Sequence, residues 1–197
     1  MATNESDTVD LLVHTKTHTD LLFFTSFGKV YRIRGYQVPS FSRTSKGLPV
    51  INLLNLDKEE KVMSIINVDE YNDNEYLFFI TKQGLVKRTD INEFESIRQN
   101  GKIAILLRDG DELFDVKHTD GNCIIGIASS KGKLCSFDEN DVRSMGRTAS
   151  GVKGMNVDGS VVVGATTSKE GNLILVLSEH GYGKLSDSSD YRLTARG

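Results

Sequence analysis

An all-β fold of repeated units is what this sequence predicts, on three observations. The first is a segment that returns four times. It reads Phe24-Thr25-Ser26-Phe27-Gly28-Lys29-Val30-Tyr31-Arg32 at first and recurs around Gly84, Gly132 and Gly181. In each copy an apolar strand enters a polar tip closed by Gly, and a second strand leaves it with basic residues. The steps between these glycines are 56, 48 and 49 residues. The second observation is an Arg that precedes a Gly at Arg43, Arg98, Arg147 and Arg196, displaced from the hairpin Gly by 15, 14, 15 and 15 residues. Two landmarks in step across four copies mark a structural repeat. The third is that inner strands such as Leu21-Leu22-Phe23-Phe24 and Ile124-Ile125-Gly126-Ile127 are apolar on both faces, as a sheet stacked between sheets requires. A period near 50 in strand-rich sequence indicates propeller-like blades or another repeat array.

The elements follow in order. Runs rich in Ile, Val, Leu, Phe and Tyr, bounded by turn residues, place strands near 10–16, 20–26, 29–34, 50–56 and 61–68. The next are expected near 75–81, 85–89, 103–108, 112–117, 123–129 and 133–137, and the last near 152–157, 160–166, 172–178 and 182–185. That is about four per full repeat, the number a blade needs. Segments 90–94 and 138–143 each suit a single helical turn. Residues 1–8 read as a linker and 9–197 as the repeats, with hairpins near 20–34, 75–89, 123–137 and 172–185. The fourth copy stops at its Arg, so the chain reads as about three and a half to four repeats of a longer array.

Composition narrows the class. A chain of 197 residues can bury a core, and 18 Gly against 2 Pro fits many tight turns. No apolar run approaches the ~20 residues that span a bilayer, and the polar, acidic start is no signal peptide. A cytoplasmic location and no membrane partner are expected. Cys123 and Cys135 lie on the two arms of the third hairpin and read as reduced core thiols.

The net charge of −3 argues against nucleic acid, but its distribution argues for it. Residues 21–56 hold five basic side chains and no acidic one, and 82–108 hold six against three. The acid collects between repeats, with seven carboxylates against two lysines over 57–75. Basic residues that recur in register on a radial array would form a track, and a track of Lys and Arg suits the phosphates of a duplex. Glycines beside them allow close backbone approach to phosphate. Acidic connections would confine the duplex to one edge.

Other constellations carry little. His14 and His18 are four apart in a segment that reads as strand and turn, with nothing to complete a zinc site. Asp109-Gly110-Asp111-Glu112 lacks the spacing of a calcium loop and reads as a hairpin turn. There is no Gly-x-Ser-x-Gly elbow and no Gly-x-x-x-x-Gly-Lys-Ser/Thr phosphate loop, so no catalytic residue, metal or cofactor is assigned to this chain.

The run from Leu22 to Arg32, then Gly35-Tyr36-Gln37-Val38-Pro39, then Ser42-Arg43-Thr44-Ser45-Lys46-Gly47-Leu48-Pro49-Val50-Ile51-Asn52 resembles the DNA gyrase A C-terminal domain, in its Gram-positive form. Asn100-Gly101-Lys102-Ile103, Arg147-Thr148-Ala149-Ser150-Gly151 and Glu179-His180-Gly181-Tyr182-Gly183-Lys184 extend the resemblance over residues 8–197. It implies a β-pinwheel, a propeller-like disc of six blades that exchange strands. It also implies duplex DNA wrapped around a basic rim, supporting ATP-dependent negative supercoiling by DNA gyrase, a type IIA topoisomerase. ATP and Mg2+ would act elsewhere in the enzyme. The remainder of gyrase A, together with gyrase B, supplies the implied protein partners. The family's short basic box is absent from this sequence and would lie upstream of Asp7, and the last two blades are absent too. The phosphate-facing set is read as Arg32, Arg43, Lys46, Lys87, Arg88, Arg98, Lys102, Lys133, Arg147, Lys153, Lys184 and Arg196.

Three other readings compete. The matching domain of topoisomerase IV shares the fold, and the upstream box would separate the two. A protein-binding propeller would expose an apolar or aromatic face and bind without salt dependence. A propeller enzyme would need carboxylates or histidines on its inner strands, which are apolar here.

Overall fold

The computed structural model describes residues 9–42, 45–97 and 100–197. Arg43 and Arg98 therefore lie outside the described residues. Sheet-forming segments dominate, and the helical content is short 3-10 turns. The strands are β1 (Asp20–Thr25), β2 (Lys29–Arg34), β3 (Val62–Val68), β4 (Tyr76–Thr81), β5 (Leu85–Asp90), β6 (Lys102–Ile103) and β7 (Leu113–Thr119). They continue as β8 (Ile124–Ser129), β9 (Leu134–Asp138), β10 (Val152–Lys153), β11 (Val162–Thr167), β12 (Leu173–Leu177) and β13 (Gly183–Asp187).

The four predicted hairpins are β1–β2, β4–β5, β8–β9 and β12–β13, each antiparallel. They fall into four separate sheets, ordered β3-β1-β2-β6, β10-β5-β4-β7, β11-β8-β9 and β12-β13. The first two blades are each completed by a strand from the following repeat. β6 leaves the second repeat to pair with β2, and β10 leaves the third to pair with β5. This exchange makes the array a β-pinwheel. β3 lies beside β7, and β7 beside β11, so these strands form one edge of the array and β6 and β10 the opposite rim.

The hairpin glycine is the socket for the exchanged strand. Gly28 sits at φ 71° and Gly84 at φ 80°, a region that L side chains rarely adopt. The Gly28 carbonyl accepts from Ala104 N (2.8 Å) and Ile105 N (3.1 Å). The Gly84 carbonyl accepts from Gly154 N (2.9 Å) and Met155 N (3.0 Å) in the same way. A Cβ on either glycine would stand 2.6 Å from a backbone oxygen of the incoming strand. The 56-residue step from Gly28 to Gly84 is thus the spacing of two sockets, whereas Gly132 and Gly181 meet no incoming strand among the described residues. The second landmark has a steric cause as well, because a Cβ on Gly151 would stand 2.4 Å from Val86 O.

The core lies between blades, and strand alternation builds it. Leu22 and Phe24 of β1 meet Leu77 and Phe79 of β4 in one cluster. Phe78 and Ile80, on the other face of β4, meet Ile125, Ile127 and Phe137 of the third blade. Phe24 and Phe79 pack edge to face at 5.4 Å. Leu21 and Phe23 turn to a third cluster with Tyr31, Ile33 and Leu54. The apolar-on-both-faces pattern is explained by this stacking.

Some expected strands are absent. Residues 10–16 hold no strand, and Val50–Asn52 form a 3-10 turn where a strand was expected near 50–56. The strands near 103–108 and 152–157 shrink to two residues each, because each exchanged segment pairs with only two residues of its host. The helical turns are 3-10 at Ile91–Phe94 and Glu139–Asp141, capped by Asp90 and Asp138. Both cysteines are free thiols.

Candidate nucleic-acid interface

Exposed cations without an ion pair among the described residues stand on the exchanged segments and the fourth hairpin, and others, Lys46, Lys58 and Lys61, stand on the connections. Among the described residues Lys46, Lys102, Lys153 and Lys184 are exposed and have no carboxylate within ion-pair distance. Lys102 stands on β6 and Lys153 on β10, the rim strands of the first two blades. They are not equivalent, however. Lys102 pairs with Val30 and Lys153 with Leu85, whereas Val30 corresponds to Val86 one residue on. A one-residue offset on a strand reverses the face, so the two lysines address opposite faces of the rim.

Two predicted phosphate ligands are interior, and this corrects the sequence reading. Lys87 is 0 % exposed. Its Nζ donates to the carbonyls of Ala104, Gly146 (3.2 Å) and Arg147 (2.8 Å), and stands 4.9 Å from the Phe79 ring centre. An ammonium has three protons, and three carbonyls take them. Lys87 thus ties the segment after β6 to the segment before β10. Burial first, and the Arg147 charge second, push its pKa down to about 7, with Glu93 pulling the other way. Arg88 is also enclosed. It donates to Asn140 Oδ1 at 2.7 Å, lies 3.7 Å from the buried Glu139 carboxylate and covers the Tyr76 ring at 4.5 Å. The alternation of strand β5 turns one of this basic pair to each face, and both faces are covered.

The remaining predicted residues are partly committed. Arg32 pairs with Asp20 at 3.1 Å and donates to Glu95 O at 2.7 Å. Lys133 meets Asp158 at 3.3 Å on an open surface. Arg147 is 3.7 Å from Glu93. Arg196 donates to Asp141 O (2.9 Å) and Lys153 O (3.0 Å), which fastens the second landmark of the fourth repeat to the turn after β9 and to the exchanged β10. Arg147 and Arg196 therefore carry structural work as well as charge.

Residues outside the predicted set join the surface. Arg108, Arg143 and Arg192 are exposed with no ion pair among the described residues. Arg108 and Lys153 line one cleft of about 230 Å³ beside the second hairpin tip, with Gln83 and Asn156. The signal for Arg108 is present in the charge count of 82–108, but it stands outside the repeated landmarks.

Strand-exchanged, propeller-like blades with cations on the exchanged rim define the class of this protein. The chain belongs to the family described as "DNA gyrase C-terminal domain, beta-propeller", whose model matches residues 19–69, 75–120, 127–169 and 172–197. Curated relatives include the DNA gyrase A proteins of Ureaplasma parvum serovar 3, 50% identical over 198 residues, and of Mycoplasma genitalium, 46% identical over 197. The DNA gyrase A protein of Staphylococcus aureus is 44% identical over 201 residues. Each alignment covers 100% of this chain but only 23–24% of the relative, so the chain spans about a quarter of their length. Among solved structures, a DNA topoisomerase IV C-terminal domain superposes with TM-score 0.83 at 27% identity, covering 91% of this chain and 57% of that one. A DNA gyrase A C-terminal domain gives 0.76 at 29% identity, covering 93% and 59%. No helix among the described residues is long and apolar enough to cross a membrane.

Proposed function

We propose that this chain binds duplex DNA without sequence preference around its cationic rim and bends it, as the DNA-wrapping part of a gyrase. The observation that carries this reading is the group of exposed, unpaired cations on exchanged strands and hairpins, Lys102, Lys153 and Lys184 with Lys46 and Arg108. Lysine ammonium groups as point charges suit phosphate contacts that position a duplex without reading bases. Bending 20–30 base pairs by 40–90° costs of order 1–6 kcal/mol, so several such contacts must act together. In the whole enzyme the remainder of gyrase A, with gyrase B, would cut, pass and reseal DNA using ATP and Mg2+. This chain would add no cofactor and no covalent step, and it would work in the cytoplasm, on the nucleoid.

The test is plasmid relaxation by a nicking-closing topoisomerase in the presence of this chain, with topoisomers counted after protein removal. A shift in linking number is expected, and its sign gives the handedness of the bend. Salt-sensitive gel retardation without a shift would mean binding without wrapping. Neither effect at low salt would overturn the reading in favour of a protein-binding propeller. The topoisomerase IV reading draws on the higher TM-score of that domain. The greater sequence identity to gyrase proteins weighs against it.

A further inference from the structure

The first blade differs from the others at the open end of its hairpin, and the difference is one of charge. Arg32 and Arg34 are two apart on β2 and share a face, while Tyr31 and Ile33 turn into the core. Both guanidiniums reach one carboxylate, Asp20, from Arg32 Nη1 at 3.1 Å and Arg34 Nε at 2.8 Å. Asp20 is buried and also accepts from the Tyr71 hydroxyl at 2.9 Å. Glu95 O and His18 O each take one further N–H, at 2.7 and 2.8 Å. Two arginines carry ten N–H donors between them, so among the described residues most remain unspent and one positive charge is uncompensated. The cleft they line has a volume of about 450 Å³ and includes Tyr36, Gln37 and Asn100, with no carboxylate among its described lining residues.

The strand register shows that this is special to the first blade. Arg32 and Arg34 correspond to Arg88 and Asp90, to Ser136 and Asp138, and to Leu185 and Asp187. The paired positions therefore carry formal charges of +2, 0, −1 and −1 along the chain. In the later repeats the Asp caps the following 3-10 turn, through Asn92 N (2.9 Å), Asn140 N (2.8 Å) and Ser189 N (2.9 Å). Such a cap stabilises a turn, and the first blade has a cation in its place. Arg32 and Tyr71 both meet Asp20 Oδ2, which leaves Oδ1 to Arg34 Nε, so Arg34 pairs a buried carboxylate oxygen as well as facing the cleft.

We propose that this cleft is an anion site for a phosphodiester group of the DNA backbone, gripped by Arg32 and Arg34, and that it fixes the first blade as an anchor for the duplex. The proposal rests on the DNA-binding reading above and deepens it. Planar guanidiniums can each offer two parallel N–H groups to phosphate, which a lysine rim cannot.

The experiment measures binding of a fluorescent 30-base-pair duplex by the whole chain across a salt series, with the wild type and Arg34→Gln. Arg34→Gln is expected to weaken binding about fivefold or more and to lower the slope of log affinity against log salt by about 0.9. In parallel, the arginine Nε–H signals of the wild type are followed by NMR as inorganic phosphate is added. Shifts at Arg32 and Arg34 that a duplex reproduces support the site. A wild type that binds DNA while Arg34→Gln keeps both affinity and slope overturns the proposal and leaves the DNA-binding reading intact. A wild type that binds no DNA, yet shifts with phosphate, sinks that reading and makes this a free-phosphate site instead. Should Arg34→Gln fail to fold, Asn100→Asp places a carboxylate in the cleft without touching the Asp20 pairs and is expected to weaken binding similarly.

Discussion

The second and fourth hairpins have the same sequence pattern and opposite surroundings. Strands β4 and β5 are buried throughout except at Tyr76 and Asp90, and both edges are paired, by β7 and β10. Among the described residues β12 and β13 pair only with each other, and their apolar side chains are largely exposed, Leu177 at 67% and Leu185 at 58%. Both hairpins form with full antiparallel register. A hairpin here is therefore a local product of its strand and turn residues. Burial, by contrast, belongs to the neighbours, as in any stacked repeat.

The largest expected contrast is in the core. Phe79→Ala removes a ring packed against Phe24 and Phe94 and is expected to cost about 3–5 kcal/mol in urea unfolding. Leu175→Ala, on the exposed β12, is expected to cost under about 0.5 kcal/mol. Similar losses at both sites would show that the fourth hairpin is covered in solution.

The hairpin glycines sharpen the same contrast. Gly84 and Gly181 share a positive φ, 80° and 81°. An added Cβ at Gly84 would stand 2.6 Å from Met155 O, whereas at Gly181 nothing lies within 4 Å. Gly181→Ala should cost only the backbone strain, about 1–2 kcal/mol. Gly84→Ala should cost clearly more and release β10 from its socket, read as faster amide exchange at Gly154 and Met155. Equal losses would remove the socket role of Gly84.

A pH profile separates Lys87 from Lys184, which occupies the same register position on β13. The folded pKa of Lys87 is held at about 7, below the ordinary 10.5, so between those values the unfolded chain binds more protons than the folded one. Stability should therefore rise as pH climbs from about 7 towards 10.5. Lys87→Met should flatten that rise, and Lys184→Met should leave it unchanged. Identical profiles for all three proteins would refute the buried-amine assignment.

The smallest effect belongs to the surface. Lys133 and Asp158 are both about 60% exposed and 3.3 Å apart, so Lys133→Ala should change stability by under about 1 kcal/mol. Its DNA affinity should fall with salt less steeply, by about 0.9 in slope, if the ammonium meets phosphate.

How legible the interface is depends on distance along the chain. Lys102, Lys153 and Lys184 stand on the surface, as their places beside a glycine in a short or edge element suggest. Lys87 and Arg88 are misplaced by sequence reasoning because their cover comes from Ala104 and from residues 139–147, up to 60 positions away. The one-residue offset between Lys102 and Lys153 is legible, since Lys102 follows Gly101 directly whereas Val152 separates Gly151 from Lys153, and only the host residue each lysine meets had to come from the structure.

The sequence by itself determined the repeat, the four hairpins, the glycine that closes each tip and the Asp that caps the turn after three of them. These follow from local chemistry, namely alternating apolar side chains, the φ freedom of glycine and the reach of a short carboxylate. Only the tertiary structure decided where the traded strands seat, that Lys87 is a strut, and that Arg32 and Arg34 share one buried carboxylate. Those outcomes depend on pairing between residues dozens of positions apart, and on the desolvation that stacking imposes on whatever lies between the sheets.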